Sequence, residues 1–530
     1  MKSLIIFLFL ICNTLQAQVT QEWVATYSGT GTGGNYADRC AVDKFGNFIV
    51  GGRSDSAGNT DYIILKYSSF GNLVWTRRYD GALHDLDITR DMKLDDSGNV
   101  YITGFSWEGT PLGGQNWVTI KYSSNGDFRW KQTLDWAGHI DQPFSLTLDN
   151  QRNVYVAGEG FTGPQNYNDD IILAKYSNNG EVIWIRSYGN STQLPDWGYS
   201  VVTDDSDNVY VSGYSPSIIT IKYDSAGNQK WISLFPRLSG EYTVYLYSKI
   251  DRQNNIIVNG LYDTYFNNIT LKYDCNGNLL WSRPFYGQGG VLNVVNAIYT
   301  DSSSNIYLAG RAQTISNWHD ALTVKYAPNG DTLWVRYYDD GIGQHDEAFD
   351  ITGDLNGNVY LTGRTWRDSH DYLTLKYNSN GNLIFSKKYS LSGNNISKKI
   401  SIDQHNNLFI AGFRDVTQSL SAMIIIKYSQ FTGIQFQDSS NNKSLSLNQN
   451  FPNPFNSQTI INYYCNQSSE IKIKVYDILG KEICTLVNDM HEAGNYTVKF
   501  DASNYPGGVY IYNLLLNNKL IEAKRMLLIK

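Results

Sequence analysis

A repeat of about 52 residues constrains what this chain can fold into. The dipeptide Lys-Tyr occurs eight times at this period, and a Trp or Phe stands nine residues after each of its lysines. In the first seven copies a Gly also stands five residues after the lysine. The lysines are Lys66, Lys121, Lys175, Lys222, Lys272, Lys325, Lys376 and Lys427. A fixed period of this length predicts many small units that pack on one another, in place of one large core.

Each repeat divides into four short strands. In the second copy the pattern predicts strands at residues 89–95, 100–105, 117–123 and 128–134. The first and third connections carry Asp, Asn and Gly, which are typical of tight hairpin turns. Four antiparallel strands in each copy of such a repeat indicate a β-propeller.

The copy number predicts eight blades, with seven as the alternative if one copy is displaced. Trp23 and Tyr27 have the same spacing as Trp75 and Tyr79. Residues 22–27 are therefore predicted to form an extra outer strand that pairs with the last blade and hides a sheet edge. We assign residues 22–437 to the propeller.

The composition changes after the last repeat. Residues 438–450 are rich in Ser, Asn and Gln and are predicted to be a linker. Residues 451–530 contain six short alternating segments, which predict a small immunoglobulin-like β-sandwich. The whole chain is therefore predicted to be all-β.

The first 17 residues are typical of a signal peptide. Lys2 precedes an apolar stretch at residues 4–12 that is too short to cross a bilayer, and Ala17 offers a small residue for cleavage. We expect a secreted protein without a transmembrane segment.

Charge and cysteine content narrow the possible partners. The net charge of −7 disfavours nucleic acid, which requires a basic surface. The four cysteines beyond the signal peptide have no zinc or disulfide spacing. The Asp-rich turns lack the dense carboxylates of calcium loops. We predict no metal, no cofactor and no catalytic residue.

The connections between the second and third strands, and between successive repeats, are long and variable, as binding loops usually are. In an antiparallel blade these connections share one face of the ring. Tryptophans outside the repeat pattern and most of the histidines fall there. The predicted ligand-binding residues are Trp107, Trp117, Trp136, Trp197, Trp318, Trp366, His345 and His370. The alternative is that the tryptophans only fill gaps between blades.

Two resemblances to known families rest on short motifs. Residues 22–440 resemble SBBP-type propeller repeats, most closely at residues 100–104 (Val-Tyr-Ile-Thr-Gly) and 359–363 (Val-Tyr-Leu-Thr-Gly). The C-terminal segment resembles the sorting domain of the bacterial type IX secretion system. That resemblance rests on residues 451–456 (Phe-Pro-Asn-Pro-Phe-Asn), 475–480, 494–498, 507–510 and the basic end. It implies the type IX machinery as a partner and the outer-membrane surface or the medium as the location.

Three functions remain open at this point. The first is a binding or adhesion protein that takes an extracellular glycan or protein on the variable loops. The second is a polysaccharide-degrading lyase or hydrolase, and the third is a purely structural surface component. The propeller fold itself does not choose among them.

Overall fold

The structure is a computed structural model. It describes residues 18–31, 33–56, 58–109, 114–136, 140–161, 169–190, 194–237, 246–314, 318–341, 345–366, 369–417, 420–431, 445–450, 452–465, 467–478 and 480–529. The chain forms two compact units, Met1–Gly433 and Ile434–Lys530. The predicted signal peptide and residues 438–444 of the predicted linker lie outside the described residues.

The first unit contains eight four-stranded antiparallel sheets, which are the blades of a β-propeller. In blades 1 to 7, four consecutive strands pair in chain order and are called a, b, c and d. The strands are β2 (Asn35–Val42), β3 (Phe48–Ser56), β4 (Asn59–Tyr67) and β5 (Leu73–Tyr79) in blade 1; β6 (Ile88–Leu94), β7 (Val100–Trp107), β8 (Gln115–Tyr122) and β9 (Phe128–Leu134) in blade 2; β10 (Gln142–Leu148), β11 (Val154–Phe161), β12 (Asp169–Tyr176) and β13 (Val182–Tyr188) in blade 3; β14 (Trp197–Thr203), β15 (Val209–Ser215), β16 (Ser217–Tyr223) and β17 (Gln229–Phe235) in blade 4; β18 (Leu246–Ile250), β19 (Ile256–Leu261), β20 (Asn268–Tyr273) and β21 (Leu279–Phe285) in blade 5; β22 (Val294–Thr300), β23 (Ile306–Gln313), β24 (His319–Tyr326) and β25 (Thr332–Tyr338) in blade 6; and β26 (Asp346–Gly353), β27 (Val359–Trp366), β28 (His370–Tyr377) and β29 (Leu383–Tyr389) in blade 7.

Blade 8 combines strands from both ends of the unit. Its strands a to c are β30 (Asn395–Ile402), β31 (Leu408–Asp415) and β32 (Ser421–Phe431), and its strand d is the N-terminal β1 (Gln18–Tyr27). The β1–β32 pairing runs antiparallel from Gln18 opposite Phe431 to Tyr27 opposite Met423. This confirms the predicted eight blades, and the seven-blade alternative is wrong.

Strands b and c of each blade lie between the neighbouring blades. In β7 every residue from Val100 to Ser106 is buried, because both faces of the strand are covered. A continuous apolar run is what such a position requires. The a strands contact one another around a closed ring, from β2 through the a strand of each later blade to β30 and back to β2. They therefore surround the central channel.

Within the described residues, seven of the eight blades are joined to the next blade by a lysine and a tryptophan of the repeat. In blade 7 a phenylalanine replaces the tryptophan, and Lys376 donates to the Gln430 side chain. Lys66 and Trp75 lie opposite each other on β4 and β5, and both donate to the Ser124 carbonyl of blade 2, at 3.0 and 3.2 Å. At the ring closure, Lys427 and Trp23 both donate to the Ser69 carbonyl of blade 1. The spacing of nine residues thus places two donors on one acceptor.

The repeat glycine makes room for this contact. Gly71 has a φ of +86°, and a Cβ on it would lie 2.7 Å from the Trp23 ring. A larger residue would both strain the backbone and clash with the docked tryptophan.

The second unit is a two-sheet sandwich. One sheet contains β33 (Leu445–Leu447), β34 (Gln458–Cys465) and β37 (Gly494–Asp501). The other contains β35 (Ser469–Tyr476), β36 (Glu482–His491), β38 (Gly508–Leu516) and β39 (Lys519–Leu528). Residues 445–447 of the predicted linker therefore form a strand of this unit. Leu445 and Leu447 are buried in the sandwich core. The backbone N–H of buried Asn450 donates to Tyr512 Oη at 2.8 Å, and that hydroxyl donates to the Asn448 carbonyl at 2.9 Å.

Candidate functional site at the mouth of the central channel

The two faces of the propeller differ in their connections. The a–b and c–d turns lie on one face, called here the turn face, and the b–c and d–a loops lie on the other, called the loop face. On the turn face the aspartate of an a–b turn accepts hydrogen bonds from residues of the same turn. Asp43 accepts the backbone N–H groups of Phe45 and Asn47 at 2.9 Å and the Asn47 side chain at 2.8 Å. The interpretation of these residues as turn formers agrees with this geometry.

A bulge near the start of strand a shapes the loop face. The strand pairing shifts by one residue there in seven of the eight blades, within the described strands. Two successive residues then oppose one partner, which breaks the alternation of a regular strand. The bulged residues are Asp38, Arg90, Phe144, Tyr199, Asn296, Phe349 and Lys398.

The bulged residues of strand a lie close to the residue that directly follows the glycine in strand b. The post-glycine residues are Arg53, Phe105, Glu159, Tyr214, Leu261, Arg311, Arg364 and Phe413. We call the two sets together the mouth residues, because they surround the loop-face opening of the channel. Asp38 interacts electrostatically with Arg53, Arg90 and Lys398, which belong to three different blades. Deeper in the channel the Lys93 side chain is 46% exposed, so solvent reaches the a strands.

Cations stack on aromatic rings around this mouth. Lys398 Nζ lies 4.0 Å from the centre of the Phe349 ring, and the Arg364 guanidinium lies 5.4 Å from it. Arg90 lies 5.1 Å from Phe105 and 5.8 Å from Phe144. Such contacts hold the cations in place without neutralising them.

The same arrangement recurs where blades 8 and 1 meet. The Arg53 guanidinium lies 4.6 Å from the Tyr36 ring, and that ring packs edge-on against Phe413 at 4.8 Å. On the far side of the mouth, Phe144 contacts Tyr199 at 5.0 Å. Together with Phe105 and Phe349, aromatic rings of six blades thus border one opening.

A second cluster lies between blades 6 and 7. The buried Glu347 carboxylate receives Arg311 Nη1 at 3.3 Å and Arg364 Nη2 at 2.9 Å. Asn296 donates to the same carboxylate at 3.1 Å. One carboxylate therefore orients two guanidinium groups.

Two histidines stand beside this cluster. The Nδ1 atoms of His319 and His345 are 2.9 Å apart and the rings stack at 4.9 Å, with Trp318 edge-on to His345 at 5.0 Å. Burial, and then the charge of Arg311, lower the pKa of both histidines. The lowered pKa favours the neutral form of both rings, in which one Nδ1–H donates to the other Nδ1.

The structure brings together four of the eight predicted ligand-binding residues. Trp318 and His345 belong to the cluster just described. Trp366 packs edge-on against His370 at 4.4 Å, and His370 Nε2 lies 3.4 Å from Arg364 Nη1. His370 is itself buried, and burial lowers its pKa to about 4. It supports the position of Arg364 and offers little surface to a ligand.

The other four predicted residues are dispersed. Trp197 lies across the mouth, 5.8 Å from Tyr214. Trp117 is fully buried between blades 2 and 3 and donates to the Glu159 carbonyl at 3.0 Å, so it has no face available to a ligand. Trp136 packs on the core of the same two blades, and the half-buried Trp107 accepts a backbone hydrogen bond from Leu83. For Trp117 and Trp136 the gap-filling alternative describes the environment better.

Sequence reasoning missed the mouth cations. Arg53, Arg311 and Arg364 directly follow a repeat glycine, and Arg90 and Lys398 occupy the bulge. A signal for them exists in the sequence, because their repeat positions vary while the neighbouring glycine does not. Counting rare residue types directed attention to Trp and His instead.

Two groups of three aspartates also lie on the loop face, Asp61 with Asp80 and Asp87, and Asp339 with Asp340 and Asp346, each within 4.8 Å. In both groups the last aspartate accepts a backbone hydrogen bond from the d–a loop. Asp87 accepts the Gly81 N–H at 2.6 Å, and Asp346 accepts the Asp340 N–H at 3.1 Å. Burial raises the pKa of Asp87 to about 6 and that of Asp346 to about 7. The same hydrogen bond therefore stabilises the d–a loop in both groups.

Comparison with known proteins identifies the second unit. Residues 449–530 match the family model described as a secretion system C-terminal sorting domain. The chain ends in a sorting domain. Secretion or a cell-surface location follows from it. Among the described residues no helix is long and apolar enough to span a membrane.

The other comparisons concern the propeller. An uncharacterized WD repeat-containing protein of Acanthamoeba polyphaga mimivirus is 22% identical over an alignment that covers 67% of this chain and 31% of that protein. This chain thus spans about a third of that relative. BamB from Moraxella catarrhalis has a TM-score of 0.44 at 10% identity, covering 78% of this chain and all of its own. A PL25 ulvan lyase has a TM-score of 0.39 at 12% identity, covering 75% of this chain and 93% of its own.

Proposed function

We propose that this protein is a secreted binding module that takes an extracellular glycan at the loop-face mouth of its propeller channel. The observation that carries the proposal is the ring of aromatic side chains and cations that different blades contribute to the mouth. Phe349 with Lys398, and Tyr36 with Arg53, are its clearest pairs. Flat aromatic rings can stack on the apolar face of a sugar while adjacent donors bind its oxygens.

Export is the second part of the proposal. A signal peptide at residues 1–17 would direct passage across the inner membrane, and the sorting domain would then engage the type IX machinery for delivery to the outer-membrane surface. Deletion of residues 445–530, which removes the sandwich from its first strand, should leave the propeller in the periplasm. Appearance of the truncated protein at the surface would contradict this assignment.

A glycan array probed with the purified full-length protein tests the binding function. We expect binding to one chemical group of polysaccharides, and at least about tenfold weaker binding by the Trp318→Ala, Trp366→Ala double variant with an unchanged melting temperature. Absence of any glycan binding would overturn the proposal and favour a protein ligand or a structural role.

A polysaccharide lyase is the second candidate, and the His319–His345 pair favours it. A lyase needs a neutral base to remove a proton beside a uronate carboxylate, and a cation to neutralise that carboxylate. Burial, and then the charges of Arg311 and Arg364, lower the pKa of His345 and favour its neutral form. Incubation of the protein with the bound polymer separates the two functions, because a lyase shortens the polymer and a binding module leaves it intact.

A further inference from the structure

The mouth of the channel has a charge opposite to that of the whole chain. The protein has a net charge of −7, yet five cations border the loop-face opening. These are Arg53, Arg90, Arg311, Arg364 and Lys398. Charges of one sign inside a concave, partly desolvated opening create a stronger field than the same charges on an open surface.

The acids nearby do not cancel this charge. Glu347 is shared between Arg311 and Arg364. Asp38 lies 3.7 Å from Arg53. Burial, and then repulsion by Asp169, raise the pKa of Glu159 to about 8, so this residue is mostly uncharged at pH 7.

Two of the cations have no acid of their own. In the part of the chain that the structure describes, Arg90 and Lys398 form no ion pair. Arg90 donates to the Gln142 side chain at 2.7 Å and stacks on two phenylalanines, and Lys398 stacks on Phe349. Burial lowers the pKa of both residues. Arg39 then lowers that of Arg90 and Arg364 lowers that of Lys398, while Asp38 raises both and Glu347 raises that of Lys398. A bound anion would relieve this repulsion.

The guanidinium groups also retain unused donors. Among the described residues, the buried Nε atoms of Arg53, Arg90, Arg311 and Arg364 have no hydrogen-bond partner, although Arg53 Nε lies 3.7 Å from Asp38 Oδ2. A buried donor without a hydrogen-bond partner destabilises the protein. Four such donors lie around this one opening. Carboxylate and sulfate oxygens are the acceptors that match arginine best.

We propose that the ligand is an acidic polysaccharide whose carboxylate or sulfate groups bind Arg90, Arg364 and Lys398 while its sugar rings stack on Phe144 and Phe349. This inference rests on the proposed glycan-binding function and specifies its ligand class. The alternation of cation and aromatic ring around the mouth matches a polymer that alternates charge with flat, apolar sugar faces.

Three polymers of similar length test the inference: polygalacturonate for carboxylates, dextran sulfate for sulfates, and neutral dextran. Affinity for the full-length protein is measured by titration calorimetry at low and at moderate salt. We expect at least one acidic polymer to bind tenfold or more tightly than dextran, and the difference to shrink as salt screens the charges.

A pair of charge variants locates the effect. Arg90→Gln combined with Lys398→Gln should weaken binding to the acidic polymer at least tenfold. Arg129→Gln combined with Lys230→Gln is the matched control, because these exposed cations lie on strands d and keep the net charge change equal. It should change binding less than twofold, and both variants should melt within about 2 °C of the parent.

The outcomes separate the inference from the function on which it rests. Equal binding of dextran and the acidic polymers, or equal effects of the two charge variants, overturns the acidic-ligand inference and leaves glycan binding standing. Tight binding of other, neutral glycans gives the same result. Failure to bind any glycan removes the proposed function, and the inference falls with it.

Discussion

The two faces of the propeller use the same repeat in different ways. On the turn face nearly every copy makes the same contacts, in which a lysine and a tryptophan donate to one carbonyl of the next blade. On the loop face the equivalent positions differ from blade to blade, and Arg53, Phe105, Glu159 and Arg364 occupy one and the same repeat position. The repeat positions that keep the same residue join neighbouring blades. The positions that vary between blades lie on the same scaffold, and their side chains can differ to suit a ligand.

The largest expected effect is the loss of a turn-face lysine. Lys272 Nζ lies 2.7 Å from Asp251, and both side chains are almost completely buried. Lys272→Ala leaves a buried carboxylate without its cation, which we expect to lower the free energy of unfolding by about 3–5 kcal/mol. Denaturant titration measures this. The control Lys230→Ala, which breaks an exposed pair with Asp224, should cost less than about 1 kcal/mol.

The next prediction compares the loss of stability when a tryptophan on each face is replaced by alanine. Trp281 is 8% exposed and donates to the Pro328 carbonyl of the next blade, whereas Trp318 on the loop face is 41% exposed. Trp281→Ala should destabilise the propeller by about 3–5 kcal/mol. Trp318→Ala should lie within about 0.5 kcal/mol of the parent. Similar losses from both variants would mean that the loop-face tryptophan is also part of the scaffold.

The faces should also respond to pH in opposite directions. Burial raises the pKa of Asp346 to about 7, above its unfolded value of 3.8, so the folded protein takes up this proton first. The resulting stabilisation is complete below about pH 4 and is lost as the pH rises through about 7. The melting temperature should therefore increase from about pH 8 to about pH 6, and Asp346→Asn should flatten that increase. A slope unchanged by this variant would contradict the assignment.

On the turn face the sign is reversed. Hydrogen bonds from Asn47 and the Lys66 ammonium outweigh burial and hold the pKa of Asp43 below its usual value. Its stabilisation is present above about pH 4 and is lost as the pH falls through the lowered pKa. Asp43→Asn should therefore reduce stability at pH 7 and reduce the further loss on acidification. The loss should be smaller than that in Lys272→Ala, because Asn keeps one acceptor for the turn, although it leaves the buried Lys66 ammonium without its anion.

Most of the scaffold could be predicted from the sequence. The period, the turn residues and the lysine-to-tryptophan spacing are local signals, and the spacing of Trp23 and Tyr27 was enough to predict the closing strand. The bulge in strand a could not be predicted, because it interrupts the two-residue alternation on which strand reasoning depends. For that reason Arg90 and Lys398 were assigned no role.

Contacts between blades were also out of reach of the sequence. His319 and His345 come from different loops, and only the packing of blade 6 against blade 7 brings their Nδ1 atoms to 2.9 Å. Trp117 falls at the start of a c strand, close to a variable loop, yet its indole N–H finds a carbonyl in the next blade and is buried there. Residue type alone did not distinguish these two situations.

The most direct test of the central claim is the binding of a glycan by two phenylalanine variants, one from each face. Phe349 lies at the channel mouth between Arg364 and Lys398, and Phe45 lies in a turn of the opposite face, where it is 68% exposed and 5.2 Å from Lys44 Nζ. Binding should fall at least about tenfold in Phe349→Ala and remain within twofold in Phe45→Ala, with both proteins folded. Normal binding by Phe349→Ala, or an equal loss in Phe45→Ala, would contradict the assignment of the site to the channel mouth.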